Sequence, residues 1–229
     1  GVLGKHDDKK RFWEHAEKAK SGYGKLIECP EFSLDTDRQA KLVRPLYMGL
    51  LNENQAEFAK KRLITALEHY GWRLGTGFLS TPFILYVLED IDVEYAYRLL
   101  ENEQMPGWLF MPKMNANTIW ESWEGTEAQG GIASLDHYSK GAVCEWLFDT
   151  MCGVRMDGEN RFVIAPVAGG SLTHASFTYR SVYGEVSSGW ERKDGKTVYS
   201  VRVPAGTEAH FTVPGIDRIL SAGSYRFEV

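Results

Sequence analysis

The chain has 229 residues, enough for one large domain or two modest ones with ample core. Its formal net charge is −5, and its short basic runs, Lys9-Lys10-Arg11 and Lys60-Lys61-Arg62, fall in helical patterns as solvated faces. That balance argues against nucleic acid or an anionic membrane surface as partner.

Other totals exclude further classes. Seven Trp, eleven Tyr and eleven Phe suit carbohydrate binding and a large core alike. The three cysteines, Cys29, Cys144 and Cys152, form no C-x-x-C pair and no disulfide framework, and are expected to be free, buried thiols. The six histidines show no ligand spacing with Cys, Asp or Glu, so neither a metal nor another cofactor is expected. No apolar run reaches the roughly 18 residues of a membrane span, and no secretory leader pattern is visible. With Gly1 rather than Met first, this leaves the compartment unassigned.

In chain order, residues 1–152 read as helices. The first is expected from Asp7 to Lys20, carrying Phe12, Trp13, Ala16 and Ala19 and ended by Ser21-Gly22-Tyr23-Gly24. Thr36 with Gln39 makes a capping-box signal for a helix bearing Ala40, Val43, Tyr47 and Leu50, which Pro45 should kink or restart. Asn52 should cap the next, with Ala56, Ala59, Leu63, Ala66, Leu67 and Tyr70 in one stripe and Gly71 just past its end. After a Gly75–Leu79 loop, Thr81-Pro82 should open a very apolar helix, and Asp92 should cap another with Val93, Ala96, Tyr97 and Leu100 inward. A Gly-rich loop is expected over Gly125–Ile132, then a last helix over Ser134–Cys152 with Val143, Trp146, Leu147 and Thr150 on one side.

At Gly153 the period changes. Phe162–Ile164, Ala175–Arg180, Val186–Arg192, Thr197–Val203, His210–Val213 and Tyr225–Val229 read as strands, with Asp194-Gly195 as a hairpin turn. Residues 153–229 are therefore predicted to form an all-β sandwich.

Chemistry concentrates in Asn115–Gly125, where Trp120 and Trp123 bracket Glu121 and Glu124 follows. An indole face stacks on the C–H face of a pyranose ring, and a carboxylate held between such faces is placed for proton transfer. Two readings of the segment stay open: a sugar wall around an acid, or core tryptophans with an outward Glu.

Four stretches in order resemble the C-terminal part of the family 78 glycoside hydrolases, the α-L-rhamnosidases. They are Thr76–Pro82; Thr118–Gly125; Ser134–Tyr138 with Gly141–Leu147; and Ile164–Pro166 with Gly169–Thr173 and Tyr183-Gly184. The resemblance runs from about Asp37 onward. It implies a partial (α/α)6 barrel over residues 1–152 followed by a β-sandwich over 153–229. It also implies an inverting hydrolase of terminal α-L-rhamnosyl linkages, with a rhamnosylated glycan or glycoside as substrate. Glu121 would then be the general base, Trp120 and Trp123 pocket walls, His137 a hydroxyl partner and Phe78 a contact for the C6 methyl. Phe78 and Trp123 retain a core reading, and His137 a helix-capping one.

Where the family usually has Asn before this histidine, the chain has Asp136, a further substrate-binding candidate. The family's barrel has twelve helices and only about half are expected here. The resemblance therefore implies a fragment whose general acid lies upstream, whose missing N-terminal part is its partner, and which alone is inactive. Two alternatives remain: a non-catalytic carbohydrate-binding or structural remnant, and an (α/α)6 hydrolase or lyase for another sugar.

Overall fold

The structure is a computed structural model that describes residues 3–131 and 133–229. By compactness it divides into two units, Gly1–Lys140 and Gly141–Val229.

The first unit is helical: α1 (His6–Leu26), α2 (Gln39–Tyr47), α3 (Glu53–His69), α4 (Ile84–Glu89), α5 (Val93–Leu100) and α6 (Phe110–Lys113), with α7 (Tyr138–Gly141) at its end. Its core is built from α2 to α5, where Leu42, Val43, Leu63, Leu67, Ile84, Leu88, Tyr97 and Leu99 are buried. Asn52 caps α3 as the sequence predicts: its side chain accepts from Gln55 N–H while Gln55 Oε1 accepts from Asn52 N–H. The α3 stripe buries Ala59, Leu63, Ala66 and Leu67, but Tyr70 turns outward. Gly71 follows at φ +66°, and Trp72 N–H closes back on Leu67 O at 2.7 Å. Asp92 caps α5 by accepting from Glu94 N–H.

Several helix ends differ from expectation. α1 runs through Gly22 and Gly24 to Leu26, because an isolated glycine costs a helix about 1 kcal/mol and does not stop it. It buries no residue, leaving Phe12 and Trp13 63% and 68% exposed. The cap of α2 is Arg38 and not Thr36, whose hydroxyl instead accepts from Arg38 N–H in a local turn. Pro45 lies inside α2, which ends two residues later at Tyr47. Thr81-Pro82 opens a 3-10 turn, Thr81–Phe83, and α4 begins only at Ile84. Thr81 does not cap because its hydroxyl is taken by Thr76 and Gly77.

The predicted Ser134–Cys152 helix is broken into α7, α8 (Val143–Trp146) and a π turn, Leu147–Met151. Cys144 and Cys152 therefore share no continuous helix. Cys152 is buried as expected, but Cys29 and Cys144 are exposed: Cys29 has no buried neighbour close in sequence, and Cys144 lies with exposed Glu145 off the Val143 and Trp146 face of α8.

The second unit contains α8, the π turn and two four-stranded sheets. The strands are β1 (Val154–Met156), β2 (Arg161–Ile164), β3 (His174–Ser181), β4 (Gly184–Lys193), β5 (Lys196–Val203), β6 (Glu208–Val213), β7 (Ile216–Leu220) and β8 (Gly223–Glu228). One sheet has the order β1-β2-β6-β7, with β2 and β6 parallel; the other is β3-β4-β5-β8, antiparallel throughout. Asp194 (φ 50°) and Gly195 (φ 77°) make the tight β4–β5 turn that the dipeptide predicts. Phe211 of the first sheet stacks on Phe227 of the second at 4.7 Å. Trp190 Nε1 donates to Met151 O at 2.9 Å, fastening the π turn to β4. Gly153 (φ +68°) admits no side chain, since a Cβ there would lie 2.1 Å from the Ala165–Pro166 backbone.

Two outcomes follow. Asn52→Ala should lower the stability of the helical unit by about 1 kcal/mol in urea titration, and Thr36→Ala by clearly less. Burial pushes the Cys152 thiol up to about 11, so at pH 8 a thiol reagent should titrate Cys29 and Cys144 in the folded chain and reach Cys152 only on unfolding.

Candidate functional site

The segment between α6 and α7 carries little regular structure, only a 3-10 turn over Gly125–Gly131 where a plain loop is expected; Ile132, the end of that predicted loop, lies outside the described residues. Its shape comes from hydrogen bonds between two stretches. Glu121 N–H donates to Ser134 O and His137 N–H to Ile119 O, each at 2.8 Å. Between them Ser134 N–H donates to Glu121 Oε2 at 2.9 Å, so the carboxylate is held by a backbone amide. Glu121 is half-buried, as are both flanking tryptophans.

Each tryptophan is seated by a specific contact. Trp120 N–H donates to the sulfur of the buried Met111 at 3.3 Å. Its ring lies on Gly125, where a Cβ would come within 2.7 Å of the six-membered ring; φ there is +59°, so the position favours glycine twice over. Trp123 faces the ammonium of Lys140, whose Nζ lies 4.0 Å from the ring centroid.

Lys140 is the residue that sequence reading missed. Only 7% exposed, it also donates from Nζ to Glu121 O, and its own carbonyl accepts from Trp108 Nε1 at 3.0 Å. Burial pushes its ammonium down to about 8, while Glu124 and Glu121 pull it back up. A lone lysine in an apparent helix opening gives no sequence signal of such a position.

Phe78 meets the stretch that follows the ladder, at His137 and Tyr138. Its loop is pinned by the buried Gln39, which donates from Nε2 to Arg73 O at 2.9 Å and accepts from Gly75 N–H at 2.7 Å. The buried Thr76–Thr81 hydroxyl pair, 2.9 Å apart, holds the following turn. Phe78 is 47% exposed and meets His137 edge-on at 5.4 Å and Tyr138 at 5.3 Å. Tyr138, which the sequence reading did not single out, stacks on His137 at 5.3 Å.

His137 Nδ1 lies 3.3 Å from Ser139 N–H and 3.0 Å from its hydroxyl. An amide can only donate, so in the neutral ring the proton sits on Nε2, which is then a donor. Asp136 is exposed; its N–H donates to Ser134 Oγ, whose hydroxyl donates to the Asp136 carbonyl. The fold thus joins Glu121 and Trp123 through Lys140 and the backbone ladder, seats Trp120 on Met111 and Gly125, and joins Phe78 to His137. No cluster of three or more His, Cys, Asp or Glu that could hold a metal occurs among the described residues.

Residues 1–151 match the family model of the bacterial alpha-L-rhamnosidase 6 hairpin glycosidase domain, and residues 156–227 that of the bacterial alpha-L-rhamnosidase C-terminal domain. The chain belongs to the bacterial α-L-rhamnosidase family. An α-L-rhamnosidase of Streptomyces avermitilis is 34% identical over 186 residues, 78% of this chain and 18% of that protein. The structure of native α-L-rhamnosidase from Aspergillus terreus superposes with a TM-score of 0.90 at 27% identity, covering all of this chain and 28% of that one. The S. avermitilis enzyme complexed with L-rhamnose gives 0.74 at 30% identity, covering 84% and 22%. The chain spans about a fifth of the length of the curated relatives it matches.

Membership in the α-L-rhamnosidase family makes the helical part a portion of a six-hairpin, (α/α)6 glycosidase domain, with the two-sheet region as the family's C-terminal β domain. It places the chain among the glycoside hydrolases.

Gly125→Ala should force the Trp120 ring off its seat and cost about 2–3 kcal/mol through the left-handed φ and the clash together, read as a lower urea midpoint and a changed near-ultraviolet tryptophan signal.

Proposed function

We propose that this chain supplies the general base and part of the sugar wall of an inverting hydrolase of terminal α-L-rhamnosyl linkages. Glu121 takes the proton of a water attacking the anomeric carbon. Trp120 and Trp123 flank the sugar, His137 donates from Nε2 to a hydroxyl, Phe78 meets the C6 methyl and Asp136 a further hydroxyl. The carrying observation is the Ser134 N–H bond to Glu121 Oε2, which fixes one carboxylate oxygen and leaves the other to accept a proton. The relative complexed with L-rhamnose supports that sugar.

In this reading the functional division falls between residues 1–152 and 153–229, supported by the change from helical to alternating period at Gly153. An inverting site needs its two carboxyl groups about 6.5–9.5 Å apart, with water beside the base. The general acid is proposed to come from outside this chain, as its short span of its relatives supports. The exposed Phe12 and Trp13 face of α1 is consistent with burial against the rest of a larger enzyme.

Two measurements test this. In the complete enzyme, Glu121→Gln should lower kcat about 10²–10⁴-fold with KM little changed, and retention of kcat sinks the assignment. The chain by itself should leave an aryl α-L-rhamnoside intact; full turnover would refute the external acid. Calorimetric titration with L-rhamnose, L-fucose and galacturonate separates the sugar classes.

A further inference from the structure

Among the buried groups not used by the proposed chemistry, Lys140 has the densest set of contacts to the site. Its stem is packed out of solvent, its Nζ faces the Trp123 ring at 4.0 Å and donates to Glu121 O, and its carbonyl holds the buried Trp108 indole. The contacts act on two residues that flank Ser122 and have no helix or strand to hold them. A lysine here is costly, since burying an ammonium forfeits hydration, and an apolar side chain of the same length would pack without that cost. What the apolar chain would lack is the attraction to an indole face and the donor for Glu121 O.

We propose that Lys140 is a positioning residue that fixes the Trp123 ring and the backbone of Glu121, and so sets the distance between the sugar wall and the base. The inference rests on the proposed role of Glu121 for its functional half, and on geometry alone for the lock itself. The charged groups facing the ammonium are Glu121 and Glu124 from the tryptophan segment, and its own segment brings His137 two residues before Ser139. Loss of a proton to solvent leaves an amine that still donates to Glu121 O but no longer draws the ring. Burial places that loss near pH 8, so most of the lock is held at neutral pH and it slackens above.

The test is fluorine NMR of the chain carrying 5-fluorotryptophan, with the Trp123 signal assigned by Trp123→Phe. In the unmodified sequence and in His137→Gln, the Trp123 signal should move with a midpoint near 8. In Lys140→Met it should stay still, and Lys140→Arg, which keeps a cation at all these pH values, should also hold it still. A Trp123 signal that is flat from about pH 6.5 to 9.5 in the unmodified chain, or that moves alike in Lys140→Met, overturns the lock. The unmodified titration needs no Lys140 variant, so an unfolded Lys140→Met leaves the test standing.

L-rhamnose titration of the same samples reads the functional half. Affinity should fall about tenfold in Lys140→Met and stay within about threefold of the original in Lys140→Arg. Unchanged affinity in Lys140→Met removes Lys140 from sugar positioning. Should no form of the chain bind L-rhamnose while Trp123 still titrates through Lys140, the sugar-site reading falls and the lock stands.

Discussion

The candidate site depends on a backbone ladder that belongs to no regular element. Glu121 to Ser134, His137 to Ile119, and Ser134 N–H to Glu121 Oε2 tie together two stretches that would otherwise leave their amides to solvent. The third of these bonds makes the carboxylate part of the scaffold: turning Glu121 away breaks a contact to main chain and not merely to water. A loop can carry a reactive group to useful precision only when rigid neighbours over-determine its path. Met111, Gly125 and Lys140 supply that here, one for each of Trp120 N–H, the Trp120 ring and the Trp123 ring.

Earlier parts of the same unit serve this arrangement from a distance in sequence. Gln39 at the start of α2 reaches across to both Arg73 O and Gly75 N–H, so a residue with two-sided hydrogen-bonding capacity sets the entry of the Phe78 loop. Gly75 has to be small for this, because a Cβ would stand 2.9 Å from the Gln39 carboxamide. The Thr76–Thr81 hydroxyl pair then turns the chain so that Phe78 meets His137. Buried polar groups of this kind cost free energy unless every partner is met, and here their partners lie within a few residues of the site.

Where sequence reading succeeded and failed follows the range of the interaction. Asn52 and Asp92 cap as expected because a cap is settled within three residues. Six strands of the sandwich were legible from alternation, whereas β1 is three residues long and β7 has only Leu220 buried, too little to show a period. Thr36 carried the capping signal without the geometry, since its hydroxyl bonds Arg38 N–H in a turn before α2. The stretch from Ser134 to Cys152 has the composition of one helix, yet the ladder holds Ser134 to His137 in a non-helical turn and a π turn interrupts the end. Cys29 and Cys144 are exposed because the apolar pattern that buries Cys152 does not include them.

Local pattern was enough to give the order of the two architectures, helices and then alternating strands. Motifs of a few residues were enough to single out Glu121 and its tryptophans. Those features are written in neighbours along the chain, where side-chain period and turn chemistry act. Only the tertiary structure decided that Lys140 faces Trp123, that Gln39 pins the Phe78 loop, and that β2 pairs in parallel with β6, 47 positions away at Arg161 and Glu208. Such contacts join residues separated by 17 to 47 positions, and no local spacing encodes them; they exist because packing brings distant segments together and then requires each buried polar group to find a partner.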